Sequence, residues 1–197
     1  MKETLSYYQN NTQAFFDSTV NADVKPLYVR FLKHIQKDGK ILDFGCGSGR
    51  DTKAFTEMGY SVEAIDGSAN LCKMASKYTG IKVKCMDYTA LNAREEYVAI
   101  WACASLLHIS SSDMPIVLTK MRDAIIPDGI IYASFKHGSF EGVRDGRYYT
   151  DMTADRFSEL LMNVGDLTLI EEWFSEDVRP DKQVGWYNVI LKKTQRS

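Results

Sequence analysis

The sequence predicts a doubly wound α/β fold, with a seven-stranded, mostly parallel sheet, helices on both faces and an antiparallel hairpin at the C-terminal end. Through the middle of the chain, short apolar segments alternate with amphipathic ones, as the strands and crossover helices of a parallel sheet do. After Gly165, two apolar segments follow each other with no helix between them, which is typical of an antiparallel hairpin. The seven predicted strands span residues 40–45, 61–66, 81–86, 97–103, 129–135, 167–174 and 186–192.

The predicted helices are identified by apolar residues that recur with helical spacing. The clearest is 113–125, where the apolar positions from Met114 to Ile125 follow the i, i+3, i+4, i+7 pattern and Asp113 and Pro115 mark the start. The other predicted helices span residues 3–17, 23–37, 50–58, 68–78 and 153–164.

The length of 197 residues fits one domain with a sizeable core. We divide this domain into an N-terminal helical cap (1–37), a ligand-binding core (38–136) and a substrate-side helix and hairpin (137–197).

The composition excludes several classes of protein. A net charge of −2 gives no general attraction to nucleic acid or to an anionic membrane. No apolar run reaches the roughly 20 residues of a membrane span, and the N-terminus lacks the core of a signal peptide. The four cysteines form neither a C-x-x-C pair nor a zinc-like spacing. We therefore expect a cytoplasmic protein with reduced thiols and no metal site.

The stretch "ILDFGCGSGRDT" at 41–52 joins the first predicted strand to the next helix. Asp43 lies in the strand, and Gly45, Gly47 and Gly49 follow at alternate positions, where missing side chains let a ligand approach the main chain. A dinucleotide fingerprint, G-x-G-x-x-G, would need glycine at position 50, which is Arg50. Alone, the turn indicates either a nucleotide-like ligand or a tight strand–helix connection.

Two acids follow predicted strands at the same edge of the sheet. Asp66 ends the second strand, about 20 residues beyond the first glycine, where a carboxylate can accept both hydroxyls of a ribose. The alternative role is a cap for helix 68–78, which Asp66 or Ser68 can provide. Asp87 follows the third strand and either accepts from an exocyclic amine of a base or initiates a turn.

The segments "ILDFGCGSGRD", "VEAIDGS" and "KCMDY", in that order and spacing, resemble the class I S-adenosylmethionine-dependent methyltransferases. The N-terminal "YY…FF" and "WACASLLHI" are especially similar to small bacterial single-domain members. The resemblance covers about residues 7–193 and implies a Rossmann-like fold, S-adenosyl-L-methionine as cofactor and S-adenosyl-L-homocysteine as product. It further implies that Gly45–Gly49 face the methionine part, Asp66 the ribose and Met86–Asp87 the adenine edge. The predicted cofactor-binding residues are Tyr8, Asp43, Gly45, Cys46, Gly47, Gly49, Arg50, Asp66, Gly67, Ser68, Met86, Asp87, Ala102 and Cys103.

This sequence departs from the family pattern in two places. Val98 replaces the acid often found in the fourth strand, and Cys46 lies inside the glycine turn.

The methyl acceptor is less well specified. His108 follows the fourth strand and is the candidate general base, with a packed or capping histidine as the alternative. Most of the segment after the fifth strand is expected to be a solvated, mobile loop. Charged and aromatic residues there and near the C-terminal hairpin loop nevertheless suit a small anionic or planar acceptor. The predicted substrate-binding residues are Lys136, Arg147, Tyr148, Arg179 and Trp186.

The function expected from the sequence is methylation of a small molecule, and two alternatives to it remain. Base-amino methyltransferases of nucleic acids usually carry an Asn/Asp-Pro-Pro-aromatic turn where this chain has "ACASLLHI", and the chain lacks a basic stripe. We therefore expect a small-molecule substrate, no nucleic-acid or membrane partner, and a monomer or homodimer. A methyltransferase acting on another macromolecule and a non-catalytic S-adenosylmethionine-binding protein stay open.

Overall fold

The computed structural model of the chain describes residues 2–36, 38–179 and 184–194. Within those ranges the strands are β1 (Lys40–Phe44), β2 (Ser61–Asp66), β3 (Lys84–Cys85), β4 (Tyr97–Ala102), β5 (Ile125–Lys136), β6 (Glu141–Arg144), β7 (Arg147–Thr150), β8 (Leu167–Glu176) and β9 (Gly185–Lys193). The helices are α1 (Lys2–Asn10), α2 (Thr12–Thr19), α3 (Lys25–Leu32), α4 (Arg50–Glu57), α5 (Ala69–Thr79), α6 (Met114–Ala124) and α7 (Ala154–Met162).

Seven of the strands form one sheet in the order β3-β2-β1-β4-β5-β9-β8. Strands β1 to β5 are parallel to their neighbours, and β9 runs antiparallel to both β5 and β8. This arrangement confirms the predicted fold class, including the C-terminal antiparallel hairpin. Strands β2 and β4 lie on opposite sides of β1 in the sheet. The carboxyl end of β1 is therefore a topological switch point, where ligands bind in open α/β sheets.

Both faces of the sheet are covered, which explains why its central strands are mostly apolar. Ile100 packs into the larger core, whereas its neighbour Trp101 packs into the core on the opposite face. There the Trp101 ring stacks on Tyr132, with ring centroids 4.0 Å apart. Phe31 of α3 lies against the same tryptophan. The N-terminal helical segment therefore covers one face of the sheet.

The N-terminal segment contains three described helices, so the prediction of two, at 3–17 and 23–37, is wrong. The first predicted helix is interrupted at Asn11, which separates α1 from α2. There the Asn11 side-chain amide donates to the Tyr7 carbonyl oxygen at 2.9 Å, and the Thr12 hydroxyl donates to that of Tyr8 at 2.7 Å. Such local side-chain bonds compete with the helical pattern. The second predicted helix narrows to Lys25–Leu32, and Lys37 lies outside the described residues.

The expectation of a mobile loop after the fifth strand is also wrong. Strands β6 and β7 form a separate antiparallel hairpin in which Arg144 pairs with Arg147. The two turn residues, Asp145 and Gly146, have φ of 52° and 74°. Positive φ at both positions is the requirement of a type I′ hairpin turn, for which Asp-Gly is a favoured sequence.

The third strand is shorter than predicted. The sequence predicts residues 81–86, and the strand in the structure is Lys84–Cys85.

No helix in the described ranges is long and apolar enough to cross a membrane. Over the same ranges, no three His, Cys, Asp or Glu side chains are grouped so that they could hold a metal ion.

Candidate active site

A cavity of about 660 Å³ lies at the carboxyl ends of β1, β2, β4 and β5. Its volume is in the range of small-molecule sites. One side, which we call the glycine wall, consists of residues 45–48, 50–51, 66–67 and 86–87. The opposite side, the hairpin wall, consists of His108, Lys136, Arg147 and Tyr149. Helix α1 contributes Leu5 and Tyr8 to the lining.

The glycines of the turn have two different roles. Gly45 and Gly47 line the cavity, with φ of +80° and +55°. A Cβ added at Gly45 would lie 2.5 Å from the Cβ of Ser105, which closes the turn to any side chain. Gly49 instead packs away from the cavity, since a Cβ there would lie 2.7 Å from Cγ2 of Thr79. The first two glycines therefore shape the site, and the third lets α4 approach α5.

Asp66 ties the glycine turn to the end of β2. Its Oδ2 accepts from the Gly47 N–H at 2.9 Å, and its Oδ1 accepts from the Ser68 N–H at 2.8 Å. Burial raises the pKa of this carboxyl, and the backbone N–H donors oppose the rise. The cap of α5 is Ser68, whose Oγ accepts from the Leu71 N–H. Ser68 therefore caps α5, which was the alternative role predicted for Asp66. Asp66 lines the cavity instead.

At the end of β3, Met86 is half-buried and Asp87 is exposed, and both line the cavity. Oδ1 of Asp87 accepts from the backbone N–H and the hydroxyl of Thr89, at 2.8 and 2.6 Å. Asp87 therefore initiates the short 3-10 turn Tyr88–Ala90, one of its two predicted roles.

Arg50 lines the cavity, but its charge is already paired. Its Nε and Nη2 donate to the two oxygens of Asp51, at 2.6 and 2.9 Å. Trp101 Nε1 and the Tyr28 hydroxyl also donate to Asp51. Burial disfavours the charge on Asp51, but Arg50 and these donors hold the pKa of its carboxyl below the usual range. The sequence analysis missed Asp51, although an acid in the first turn of the helix after the glycine turn was a usable signal.

Asp43 lies behind the glycine wall. It is buried, and its Oδ2 accepts from the Thr52 hydroxyl in the first turn of α4. Burial and the nearby negative charge of Asp51 raise the pKa of Asp43 to about 8. The hydrogen bond between Asp43 and Thr52 connects α4 to β1.

His108 is held in one orientation on the hairpin wall. Its Nδ1 lies 2.7 Å from the Tyr148 carbonyl oxygen, and its Nε2 lies 2.9 Å from the Tyr8 hydroxyl. Burial lowers the pKa of the imidazole to about 4, with Arg147 and Lys136 adding to the effect. His108 is therefore neutral at pH 7.

The two cations of the hairpin wall surround one aromatic ring. Lys136 Nζ lies 4.1 Å and Arg147 Cζ lies 5.3 Å from the centroid of Tyr149. Arg147 also lies over the ring of Tyr7, at 4.4 Å. Within the described part of the chain, no carboxylate oxygen lies within 4.0 Å of either cation, and the buried Nε of Arg147 has no hydrogen-bond partner.

Arg179 and Trp186 line the cavity from the C-terminal hairpin, next to Asp177. Arg179 donates to both oxygens of Asp177, at 2.8 and 2.6 Å, and Trp186 Nε1 donates to the same carboxylate at 3.2 Å. The charge of Arg179 is therefore compensated by a carboxylate, unlike that of Arg147.

Tyr8 and nine other predicted cofactor residues line the cavity. Four of the five predicted substrate residues and His108 also line it. The predicted residues outside the lining are Asp43, Gly49, Ser68, Ala102 and Tyr148. Tyr148 directs its hydroxyl to Glu141, at 2.9 Å, and contributes its backbone carbonyl to His108. The sequence analysis missed Ser105, whose place beside Gly45 depends on packing between distant segments.

The residues of the glycine wall fit an S-adenosyl nucleoside. Gly45 and Gly47 leave the main chain accessible, and the carboxylates of Asp66 and Asp87 face the same space. The Oγ of Ser105 is buried beside Gly45 without a hydrogen-bond partner among the described residues, so a polar ligand would satisfy it.

Comparison with known proteins agrees with this geometry. Residues 41–129 match the model of a methyltransferase domain family. The ubiquinone biosynthesis O-methyltransferase of Rhodopseudomonas palustris (strain BisB5) is 28% identical over 97 residues, which is 47% of this chain and 38% of that protein. The chain thus matches well under half of the length of this curated relative.

Solved structures share the fold over nearly the whole chain. The 1,6-didemethyltoxoflavin-N1-methyltransferase of Burkholderia thailandensis, with 1,6-didemethyltoxoflavin and S-adenosylhomocysteine bound, has a TM-score of 0.77 at 21% identity and covers 97% of this chain and 85% of its own. A methyltransferase of Methanosarcina mazei has a TM-score of 0.76 at 18% identity, covering 88% and 100%. The [4+2]-cyclase SpnF has a TM-score of 0.72 at 15% identity, covering 97% and 95%. Residues 41–129 are thus a methyltransferase domain, and the fold of the whole chain is shared with S-adenosylmethionine-dependent methyltransferases.

Proposed function

We propose that the protein transfers a methyl group from S-adenosylmethionine to a small-molecule acceptor that carries a negative charge. The single observation that supports the charge is the pair of cations on the hairpin wall. Lys136 and Arg147 line the cavity without a carboxylate within 4.0 Å among the described residues. The other two cations of the lining, Arg50 and Arg179, are each paired with an aspartate.

Placing two uncompensated cations side by side is unfavourable in the free protein. Burial lowers the pKa of Lys136, and repulsion from Arg144 and Arg147 lowers it further. An anion between Lys136 and Arg147 would reduce that repulsion and give the buried Nε of Arg147 the acceptor it lacks among the described residues. Three described acids lie near this part of the lining. Asp145 and Glu176 are exposed residues of the hairpin turn and the end of β8, and Asp177 is paired with Arg179.

The other half of the proposal assigns the glycine wall to the cofactor. We propose that Asp66 accepts from the ribose, that Met86 and Asp87 lie against the adenine, and that Gly45 and Gly47 face the methionine part. When bound, S-adenosylmethionine supplies the electrophilic methyl group. The chain contributes orientation, which is worth several kcal/mol in a displacement of this kind.

Two relatives support a small acceptor. The Burkholderia thailandensis protein is described as an N1-methyltransferase with bound 1,6-didemethyltoxoflavin, and the Rhodopseudomonas palustris protein as an O-methyltransferase of ubiquinone biosynthesis. A cavity of about 660 Å³ suits a nucleoside with one small partner.

The test is cofactor turnover with matched pairs of acceptors. Each pair offers the same thiol, amine or hydroxyl nucleophile on a scaffold that carries either a carboxylate or the uncharged carboxamide, and formation of S-adenosylhomocysteine is measured. We expect the carboxylate member to be used at least about tenfold faster, since hydrogen bonds to charged groups contribute about 1.5–3 kcal/mol. Equal use of both members contradicts the anionic acceptor. Tight binding of S-adenosylmethionine with no turnover of any pair points to a non-catalytic binding protein.

A further inference from the structure

We propose that Tyr8 receives the proton of the acceptor's nucleophile and passes its own hydroxyl proton to His108. The inference rests on the proposed function and deepens it, because it assigns the proton transfer within the same cavity. It also revises the prediction of His108 as a base that contacts the acceptor directly.

The hydrogen-bond partners of His108 fix where its proton lies. The Tyr148 carbonyl oxygen, 2.7 Å from Nδ1, can only accept, so Nδ1 carries the hydrogen. In the neutral ring Nε2 is then an acceptor, and the Tyr8 hydroxyl at 2.9 Å donates to it. The basic nitrogen of His108 is therefore covered by the phenol, and an acceptor in the cavity reaches it only through Tyr8.

The Tyr8 oxygen is suited to pass a proton on. Its hydrogen points to His108. Even with Arg147 donating to the phenol oxygen, one lone pair is left for a donor in the cavity that both residues line. Burial raises the pKa of the Tyr8 phenol, and the Arg147 guanidinium opposes that rise. Negative charge that develops on the phenol oxygen during transfer is thus stabilised by Arg147. The same guanidinium is the proposed anchor for the acceptor's anionic group, which places the nucleophile near Tyr8.

The step balances in atoms and charge. A lone pair of the acceptor's nucleophile forms the bond to the methyl carbon while the sulfur–carbon bond breaks, and that electron pair stays on sulfur. The nucleophile's hydrogen moves to the Tyr8 oxygen as the Tyr8 hydrogen moves to Nε2 of His108. Tyr8 ends unchanged, and His108 ends as an imidazolium whose Nδ1–H is still held by the Tyr148 carbonyl.

The surroundings of His108 keep it ready for this role. It is faced by Tyr8 from α1, by Lys136 from β5, and by Arg147 and Tyr149 from β7. The two cations and the buried site keep the imidazole uncharged before the reaction. After it, the positive charge lost from the sulfonium is regained on the imidazolium, so the net charge of the cavity is constant. The pKa of about 4 then releases the proton once water enters.

The first measurement is nitrogen NMR of the histidines in the full chain saturated with S-adenosylhomocysteine, with His108→Asn used for assignment. We expect His108 to be the Nδ1-protonated neutral tautomer at pH 7 and to titrate below pH 5. Tyr8→Phe removes the donor to the neutral ring and should raise the His108 pKa. Tyr78→Phe, the same change on α5 outside the cavity lining, should leave it unchanged. An Nε2-protonated tautomer at pH 7, or a pKa unaffected by Tyr8→Phe, overturns the proposal.

The second measurement is turnover with the acceptor that the wild type uses best among the matched pairs. Tyr8→Phe and His108→Asn should each lower kcat by about 100-fold or more, the range of general-base effects, with KM within about threefold. Asparagine retains an N–H for the Tyr148 carbonyl while removing Nε2. If both variants keep kcat within threefold of a wild type that turns over, the relay is wrong and the proposed function stands. If the wild type forms no S-adenosylhomocysteine with any pair, the proposed function fails and the relay fails with it.

Discussion

The two walls of the cavity use charge in opposite ways. On the glycine wall the buried charges are compensated within the protein. Arg50 is paired with Asp51, and Asp66 accepts from two backbone N–H groups. On the hairpin wall, Lys136 and Arg147 face the cavity without a carboxylate partner among the described residues. We therefore propose that the glycine wall recognises its ligand by shape and hydrogen bonds. The distinguishing feature of the hairpin wall is the positive charge of Lys136 and Arg147, which has no carboxylate partner among the described residues.

The contrast is sharpest within the hairpin itself, where Arg144 and Arg147 face each other across β6 and β7. Arg144 donates to both oxygens of Asp151, at 3.0 and 3.2 Å, and lies outside the cavity lining. Arg147 lies in the lining with an unsatisfied Nε. Two arginines three residues apart therefore differ in charge pairing, because only Arg144 has a described aspartate within 4.0 Å.

The largest expected effect is a loss of stability in acid that originates on the hairpin wall. The pKa of His108 is about 4 in the folded protein and about 6.5 when unfolded, so the unfolded chain binds more protons between those values. The free energy of unfolding should therefore be complete above pH 6.5 and fall as the pH drops toward 4, by about 3 kcal/mol from this group.

Chemical denaturation between pH 4 and 8, for wild type and His108→Asn, measures this contribution as the difference between the two curves. Carboxylates elsewhere titrate alike in both proteins and cancel. Parallel curves across this window would show that His108 is not buried as a neutral ring.

On the glycine wall, Asp66→Ala should weaken binding of S-adenosylhomocysteine by about 10- to 100-fold, since charge-assisted hydrogen bonds contribute about 1.5–3 kcal/mol. The variant should also melt earlier, because the Gly47 and Ser68 N–H groups lose their acceptor. Asp66→Asn, which keeps one carbonyl oxygen, should fall between. Calorimetry and thermal melting measure the two effects. Normal affinity with a lower melting temperature would confine Asp66 to a structural role.

A smaller effect is expected for Arg147→Ala on the hairpin wall. It should lower kcat/KM for an anionic acceptor by about tenfold or more, while affinity for S-adenosylhomocysteine stays within about threefold. Arg144→Ala is the matched control, since its charge is already paired. Steady-state kinetics and calorimetry separate the two variants. Loss of cofactor binding in Arg147→Ala, or identical kinetics for both variants, would contradict the division between the walls.

The smallest effect concerns nucleic acid. We expect that the protein does not bind DNA or RNA at physiological salt. The two unpaired cations lie inside a cavity, and the chain carries a net charge of −2. Filter binding with duplex DNA and single-stranded RNA tests this. Transfer of methyl label to either polymer would show that the hairpin wall faces a macromolecule.

The two walls also differ in how far the sequence predicts them. The glycine wall is local: Gly45, Gly47 and Asp66 follow strands at spacings that themselves indicate a nucleotide ligand. On the hairpin wall, the difference between Arg144 and Arg147 depends on the position of Asp151 after the hairpin has formed. The pairing of Tyr8 with His108 joins residues 100 positions apart. No periodicity or motif carries such contacts, although Asp145-Gly146 was a readable hairpin signal.

Helix α1 touches both walls at once. Its Thr4 hydroxyl oxygen accepts from the Tyr148 N–H at 2.9 Å, and Gln9 accepts from Asn70 at the start of α5 at 3.1 Å. Leu5 lies so close to Gly67 that a Cβ there would be 2.9 Å from it. We therefore expect a ligand on either wall to restrain the same nine residues, so that a second ligand would find them already ordered. In that case each ligand tightens the binding of the other by the same factor.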